Sequence, residues 1–385
     1  MKDRYLLCLF TSLFILLVTA SWSDAAWYSG WNYRKSHVIN SATGAGTNYQ
    51  VKITVHYSGT GDNGENVYCN SHCRPDFGDI RFTGSDGATL LDYWIESKTD
   101  SNNAVFWVEV GDSLESNNQT IYIYYGNSGV STTSSGDNTF PFLDDFSSND
   151  FSKWNIINNS ANICNASSGY ARLGGTYSGG YSYCQIRTKN SLTGNVQVDF
   201  DLLYAKECDE FFTISTYTIS NNTDNPVWGI CGGISYCAAH SECNNPSYGG
   251  CCFGNCGVLV SSTEHYSFAV AGVGGSYNLG FNGNGQWCTS GHTDNEYRID
   301  NIRVRKHTSP EPAHGAWGGE VPQYSSYKTK VGSATDWAWK IVYSSDTVNK
   351  VPSGTPTDWT WQTWTPNSGR KVPQGTAADW TWGPE

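Results

Sequence analysis

Four groups of residues in this 385-residue chain could carry chemistry: neighbouring acids, eight histidines, thirteen cysteines and sixteen tryptophans. Glycoside hydrolysis needs two carboxylates flanking one bond. The densest acidic run is Glu207-Cys208-Asp209-Glu210. Alternation puts Glu207 and Asp209 on one face and Glu210 on the other, and the run sits between two strands, so it reads as a solvated turn. A second acid set is Asp144-Asp145 and the distant Asp300. If the strands that carry them pair, their hard oxygens could hold a structural calcium that braces the fold; otherwise they cap turns. Gly59-Thr60-Gly61-Asp62-Asn63-Gly64 matches G-x-G-x-x-G, but no helix follows and two acids, Asp62 and Glu65, lie nearby, which disfavours a phosphate. The histidines (37, 56, 72, 240, 265, 292, 307 and 314) are scattered, and no H-E-x-x-H, G-x-S-x-G or P-loop pattern occurs. No catalytic residue is assigned, no cofactor is expected beyond that calcium, and the chain reads as a non-enzyme.

The elements that must position these groups are strands. Gln50–Tyr57, Asp79–Thr83, Leu90–Glu96, Ala104–Val110 and Thr120–Tyr125 alternate with period two and are rich in β-branched and aromatic residues. A second series covers Asn195–Tyr204, Phe211–Tyr217, Gly257–Ser261, Tyr266–Gly272, Tyr277–Phe281 and Tyr297–Arg305. With no helical period between them, the fold class is all-β, two antiparallel β-sandwiches followed by the Trp-rich tail. The expected organisation is a signal peptide at 1–25, a sandwich and its linker at 26–138, a second sandwich at 139–318 with a Cys-rich insertion at 231–256, and a linker with a Trp-rich tail at 319–385. Lys2 and Arg4 followed by the apolar Tyr5–Ala20 and small residues at Ser23 and Ala25 mark the secretory signal. No later stretch is apolar enough to cross a bilayer, so a secreted, extracellular protein without membrane insertion is expected. The net charge of −12 argues against a nucleic-acid partner.

Removing the signal removes Cys8 and leaves twelve cysteines. Cys69 and Cys73 fall in the first sandwich, and Cys164, Cys184, Cys208, Cys231, Cys237, Cys243, Cys251, Cys252, Cys256 and Cys288 in the second. Even numbers in an oxidising compartment imply that each unit closes its own disulfides, in a pairing that the sequence does not reveal. Sequons at Asn118, Asn158, Asn165 and Asn221 offer glycosylation sites.

Trp31-Asn32-Tyr33-Arg34, Asp76-Phe77-Gly78-Asp79-Ile80-Arg81-Phe82, Leu91-Asp92-Tyr93-Trp94-Ile95-Glu96, Phe106-Trp107-Val108 and Ile121-Tyr122-Ile123-Tyr124-Tyr125-Gly126-Asn127 occur in that order. Together they resemble the domain of unknown function numbered 2341, met in bacterial and archaeal surface proteins. The stretch from Phe146 and Trp154 to Tyr297-Arg298-Ile299-Asp300-Asn301-Ile302-Arg303-Val304-Arg305-Lys306 is similar to a concanavalin-type jelly roll, from which the Cys231–Cys256 cluster departs. The resemblance implies work outside the cell rather than a reaction.

The tail repeats a Lys-Val…Asp-Trp-x-Trp unit three times, with Asp336, Asp358 and Asp379 spaced 22 and 21 residues apart. Trp337, Trp339, Trp359, Trp361, Trp380 and Trp382 would place pairs of indoles on one face of each strand. Burying an indole of roughly 200 Å² gives up to about 5 kcal/mol, and a Cys-free segment of this size lacks a core for all of them. The expectation is self-association: strand donation or tail docking onto a neighbouring copy, building fibres or a surface layer as a homo-polymer. The alternative is a carbohydrate-binding adhesin with glycans as partners, and the third reading a polysaccharide-active enzyme.

Overall fold

Alternation becomes strand in the computed structural model, which describes residues 25–159, 163–175, 182–207, 211–219, 224–231, 234–235, 257–285, 295–323 and, in the tail, six strands between 327 and 384. The first sandwich holds β1 (Tyr33–Ile39), β2 (Tyr49–His56), β3 (Asn66–Tyr68), β4 (Arg81–Thr83), β5 (Leu90–Leu91), β6 (Tyr93–Thr99), β7 (Asn103–Val110) and β8 (Gln119–Tyr125). One sheet runs β3-β2-β7-β6, and the facing one contains β1-β8-β4-β5. Between them lie Ile53, Val55, Phe82, Phe106, Val108 and Ile123, all fully buried.

Residues 127–138 do not swing free as a linker. Arg81 Nη2 donates to Ser131 O (2.5 Å), the Thr133 N–H donates to the Tyr93 hydroxyl (3.0 Å), and Ile95 N donates to Ser134 Oγ (2.8 Å). Backbone groups of Ser131 and Thr133, together with the Ser134 hydroxyl, pin the stretch to β4 and β6. It ends in the single-turn α1 (Gly136–Thr139), N-capped by Ser135.

The second sandwich comprises β9 (Phe142–Asp144), β10 (Trp154–Asn159), β11 (Ile163–Ser167), β12 (Tyr170–Gly175), β13 (Ser182–Thr188), β14 (Leu192–Thr193), β15 (Val196–Glu207), β16 (Phe211–Thr218), β17 (Asp224–Cys231), β18 (Ile234–Ser235), β19 (Gly257–Val260), β20 (Glu264–Val270), β21 (Ser276–Gly285) and β22 (Asn295–Lys306). Its sheets run β10-β13-β21-β16-β17-β18, with β14 on β21, and β11-β12-β22-β15-β19, with β20 on β15 and β9 on β22. Along β15, Val196, Val198, Phe200 and Leu202 enter the core, which turns Gln197, Asp199 and Asp201 to the opposite face. Cys164 on β11 and Cys184 on β13 form a disulfide across the two sheets, with Cα atoms 5.4 Å apart.

Two sequence expectations are corrected. The expected boundary at 318/319 between the second sandwich and a linker falls between β23 (His314–Trp317) and β24 (Val321–Pro322), which both return to pair with β1. The chain thus leaves the second sandwich to finish the first. Cys69 and Cys73 are two buried thiols rather than a disulfide. Left-handed Asn70 and Ser71 (φ 51° and 64°) turn both sulfurs into the first core, where they contact each other, and burial pushes the Cys69 thiol well up.

The tail forms three hairpins: β25 (Tyr327–Val331) with β26 (Ala338–Val342), β27 (Asn349–Ser353) with β28 (Thr360–Trp364), and β29 (Lys371–Gln374) with β30 (Thr381–Pro384). Trp339, Trp361 and Trp382 lie opposite Lys330, Pro352 and Pro373, while Trp337, Trp359 and Trp380 fall outside the described residues.

Candidate functional site

The outer face of the β3-β2-β7-β6 sheet meets the outer face of the sheet containing β15 and β22. Trp107, Phe140 and Leu143 are buried between them, with Trp94 packed alongside. At one edge the two faces diverge around a cavity of about 270 Å³. Small-molecule sites occupy roughly 300–1,000 Å³, so this one lies at the small end of that range.

Arg303 of β22 organises the cavity. Its guanidinium carbon lies 4.6 Å from the Trp107 ring centroid, 5.7 Å from Phe140 and 5.9 Å from Trp94. Its Nη1 donates to Glu96 Oε1 of β6, and its Nε to Asp199 Oδ2 at 3.3 Å. Arginine suits this place because it stacks on aromatic faces while its edge remains free to donate. Lys306 N also donates to Gln50 Oε1 (3.0 Å) and Thr308 Oγ1 to Thr43 O (2.6 Å), so the sandwiches are joined at several points.

Asp199 and Asp201 share one face of β15, two residues apart. Asp199 Oδ1 accepts from Ser267 Oγ at 2.6 Å. Asp201 Oδ1 accepts from His265 Nδ1 at 2.8 Å, and its Oδ2 from Asn301 Nδ2 at 2.8 Å. Asn301 has a left-handed backbone (φ 50°), a conformation asparagine tolerates, beside a register shift in the β15–β22 ladder. Asp145 completes the rim. Burial works to raise its pKa, but the Ser147 hydroxyl and N–H hold the carboxyl below its usual range.

The lining therefore presents an aromatic wall and acidic acceptors. Among the described residues His265 hydrogen-bonds Asp201, and its Nε2 lies 4.0 Å from Asp199 Oδ1. The arrangement offers recognition chemistry: planar acceptors for hydroxyl or ammonium donors, with an indole for an apolar ring face.

The strands carrying the three acids proposed for calcium do pair, with Asp144 opposite Ile302. Asp300 is pushed up to about 6, by burial first and then by Asp201, Asp145 and Asp144 against the opposing Asn301 N–H. Yet Asp144 spends Oδ1 on Phe146 N (3.0 Å) and Oδ2 on Trp154 Nε1 (2.6 Å). Asp145 gives Oδ1 to Ser147, and among the described residues no three His, Cys, Asp or Glu side chains form a metal-holding group. This donor set does not fit calcium; Asp144 and Asp145 shape the turn after β9.

Of the sequons, Asn118 and Asn165 are exposed and Asn158 lies in β10, while Asn221 is outside the described residues. Also outside are Cys208, Cys237, Cys243, Cys251, Cys252, Cys256 and Cys288, with Asp209 and Glu210; Cys231 ends β17. Sequence reasoning inspected the acidic run at 207–210 and missed Asp199, Asp201, His265 and Arg303. The available signal was two acids alternating with core residues inside a long strand.

The family called domain of unknown function DUF2341 matches residues 76–157, from the loop before β4 into β10. No curated protein matches the chain. Among solved structures, the N-terminal CBM22-1-CBM22-2 tandem domain of Xyn10C from Paenibacillus barcinonensis is similar over 73% of this chain and 80% of its own, at 7% identity and a TM-score of 0.25. A superposition that loose carries no argument about ligand or fold. Among the described residues no helix is long and apolar enough to cross a membrane.

Proposed function

We propose that this chain is an exported, non-catalytic extracellular protein that recognises a small saccharide unit in the cleft between its two sandwiches. One observation carries the reading: Trp94, half-buried and facing a cavity of about 270 Å³, stands beside acceptors fixed by Asp199, Asp201 and Asn301. Sugars are bound by such pairs of an aromatic face and planar hydrogen-bonding groups, because a pyranose has an apolar C–H face and a hydroxyl rim. Titration calorimetry of the mature chain against a panel of disaccharides tests this. Binding that falls at least tenfold in Trp94→Ala supports the reading; equal binding by the variant and the parent removes it.

A second reading concerns the tail. Isolated two-stranded hairpins are marginal in water, and among the described residues none of the six tail strands pairs with a sandwich strand. Docking onto a neighbouring copy would supply the missing partner and propagate as a fibre or surface layer. Light scattering of the full chain and of a chain ending at residue 326 decides it: a monodisperse monomer for both eliminates self-association.

A further inference from the structure

Resting on the saccharide reading, we infer that the cleft selects a sugar bearing a free ammonium group, a 2-amino-2-deoxyhexose unit rather than its N-acetylated, neutral or acidic counterparts. The first ground is charge. Among the described lining residues, four carboxylates, those of Glu96, Asp145, Asp199 and Asp201, face one guanidinium, Arg303, and the imidazole of His265, which bonds Asp201.

The second ground is how the existing charges are spent. Arg303, the one guanidinium among the described lining residues, is committed to Glu96 and Asp199 and stacked on Trp107, which disfavours a uronic acid, sialic acid or phosphate. Among the described residues, Glu96 Oε2 and Asp145 Oδ2 accept no hydrogen bond: Arg303 donates to Glu96 Oε1, and Ser147 to Asp145 Oδ1. Hydroxyl donors could satisfy these oxygens but would leave the surplus charge in place. An ammonium supplies three donors and one positive charge together. An N-acetyl group removes that charge and brings a carbonyl that would face carboxylates.

The third ground is shape. Trp94 lines the same cavity, so a pyranose stacked on it would hold a ring-borne ammonium near an indole face as well as near carboxylates. A bare calcium ion is a poorer occupant. It asks for six to eight oxygens, whereas this cavity carries a guanidinium in its wall and no three-ligand group among the described residues.

Calorimetry with glucosamine, N-acetylglucosamine and glucose disaccharides, each at 20 mM and 300 mM salt, tests the inference on the full mature chain. The expected result is at least tenfold tighter binding of the free-amine sugar. That preference should shrink at high salt and in Asp145→Asn, a surface change checked for folding by circular dichroism. Trp94→Ala should weaken all three sugars, the free-amine one at least as much as the others. Equal or tighter binding of the neutral or acetylated sugar overturns the ammonium inference and leaves the saccharide reading standing. Absence of binding by all three at millimolar concentration overturns both. Calcium displacing the amino sugar, with the effect lost in Asp145→Asn, assigns the acids to a metal and overturns the inference.

Discussion

The guanidinium of Arg303, on the last strand of the second sandwich, lies 4.6 Å from the ring of Trp107 in the first and bridges to Glu96 beside it. This contact couples the two sandwiches. Arg303 and Asp199 are 10% and 8% exposed at their side chains, so removing the cation leaves a nearly buried carboxylate without its partner. Arg303→Met should cost about 3 kcal/mol, in the range for breaking a buried pair. Calorimetry should resolve two unfolding transitions in the variant; one transition at the parent temperature would contradict the coupling.

The return of β23 and β24 makes residues after the second sandwich part of the first. Trp317 stacks on His37 with centroids 3.7 Å apart, and Glu320 accepts from the Tyr125 hydroxyl at 2.7 Å while bonding His72 Nδ1 at 2.9 Å. Trp317→Ala should destabilise the first sandwich by about 2 kcal/mol, less than a fully buried tryptophan would. An unchanged urea midpoint for that domain would show the strap to be superficial.

Closing a loop with a sequence separation of 20, the Cys164–Cys184 disulfide should stabilise the second sandwich by about 3 kcal/mol. Chemical unfolding of Cys184→Ala measures this. Alkylation under denaturing, non-reducing conditions should label Cys69 and Cys73, and protection of both in the native protein would agree with their burial.

Two groups shifted by burial give opposite pH slopes. Burial first, then His314, pushes His37 down to about 3. The folded state therefore refuses a proton that the unfolded chain takes near 6.5, so this stability is present above about 6.5 and lost as pH falls towards 3. Burial first, then Asp92, against an opposing Lys306, pushes Glu109 up to about 7. Its folded state keeps a proton the unfolded chain releases near 4.5, and stability is lost as pH rises from 4.5 to 7. Glu109→Gln should leave stability at pH 4 unchanged and raise it at pH 8, by on the order of 1 kcal/mol once solvent screening at this half-buried position is allowed for. A loss at pH 8 would reverse the sign.

Because Asp144 is consumed by Trp154 and Phe146, 5 mM EDTA should leave the melting temperature unchanged. A fall of several degrees, restored by calcium, would show that the acids at the entry and the last strand bind metal after all.

The strand set was legible where side-chain chemistry alternates. Val196 to Tyr204 and Tyr297 to Arg305 announce themselves because one face is apolar, and both are strands. From Trp154 to Thr188 the chain is rich in Gly, Asn and Ser, and the strands β10 to β13 left little pattern because ladder hydrogen bonds need no particular side chain. β23 and β24 were hidden by Gly318, Gly319 and Pro322, which read as a linker until β1 offers the strands a partner. The sequence by itself determined an all-β chain, the inward faces of its longer strands and the repeating tail, because period-two burial is a local property. Which outward face becomes a site was decided only by the tertiary structure. Asp199 and Asp201 look like ordinary solvent-facing acids along β15, and they line a cavity only because Trp94, Glu96 and Trp107, about a hundred residues earlier, are brought against that face. Contacts between distant strands depend on how two folded surfaces fit together, and no spacing within either strand records that fit.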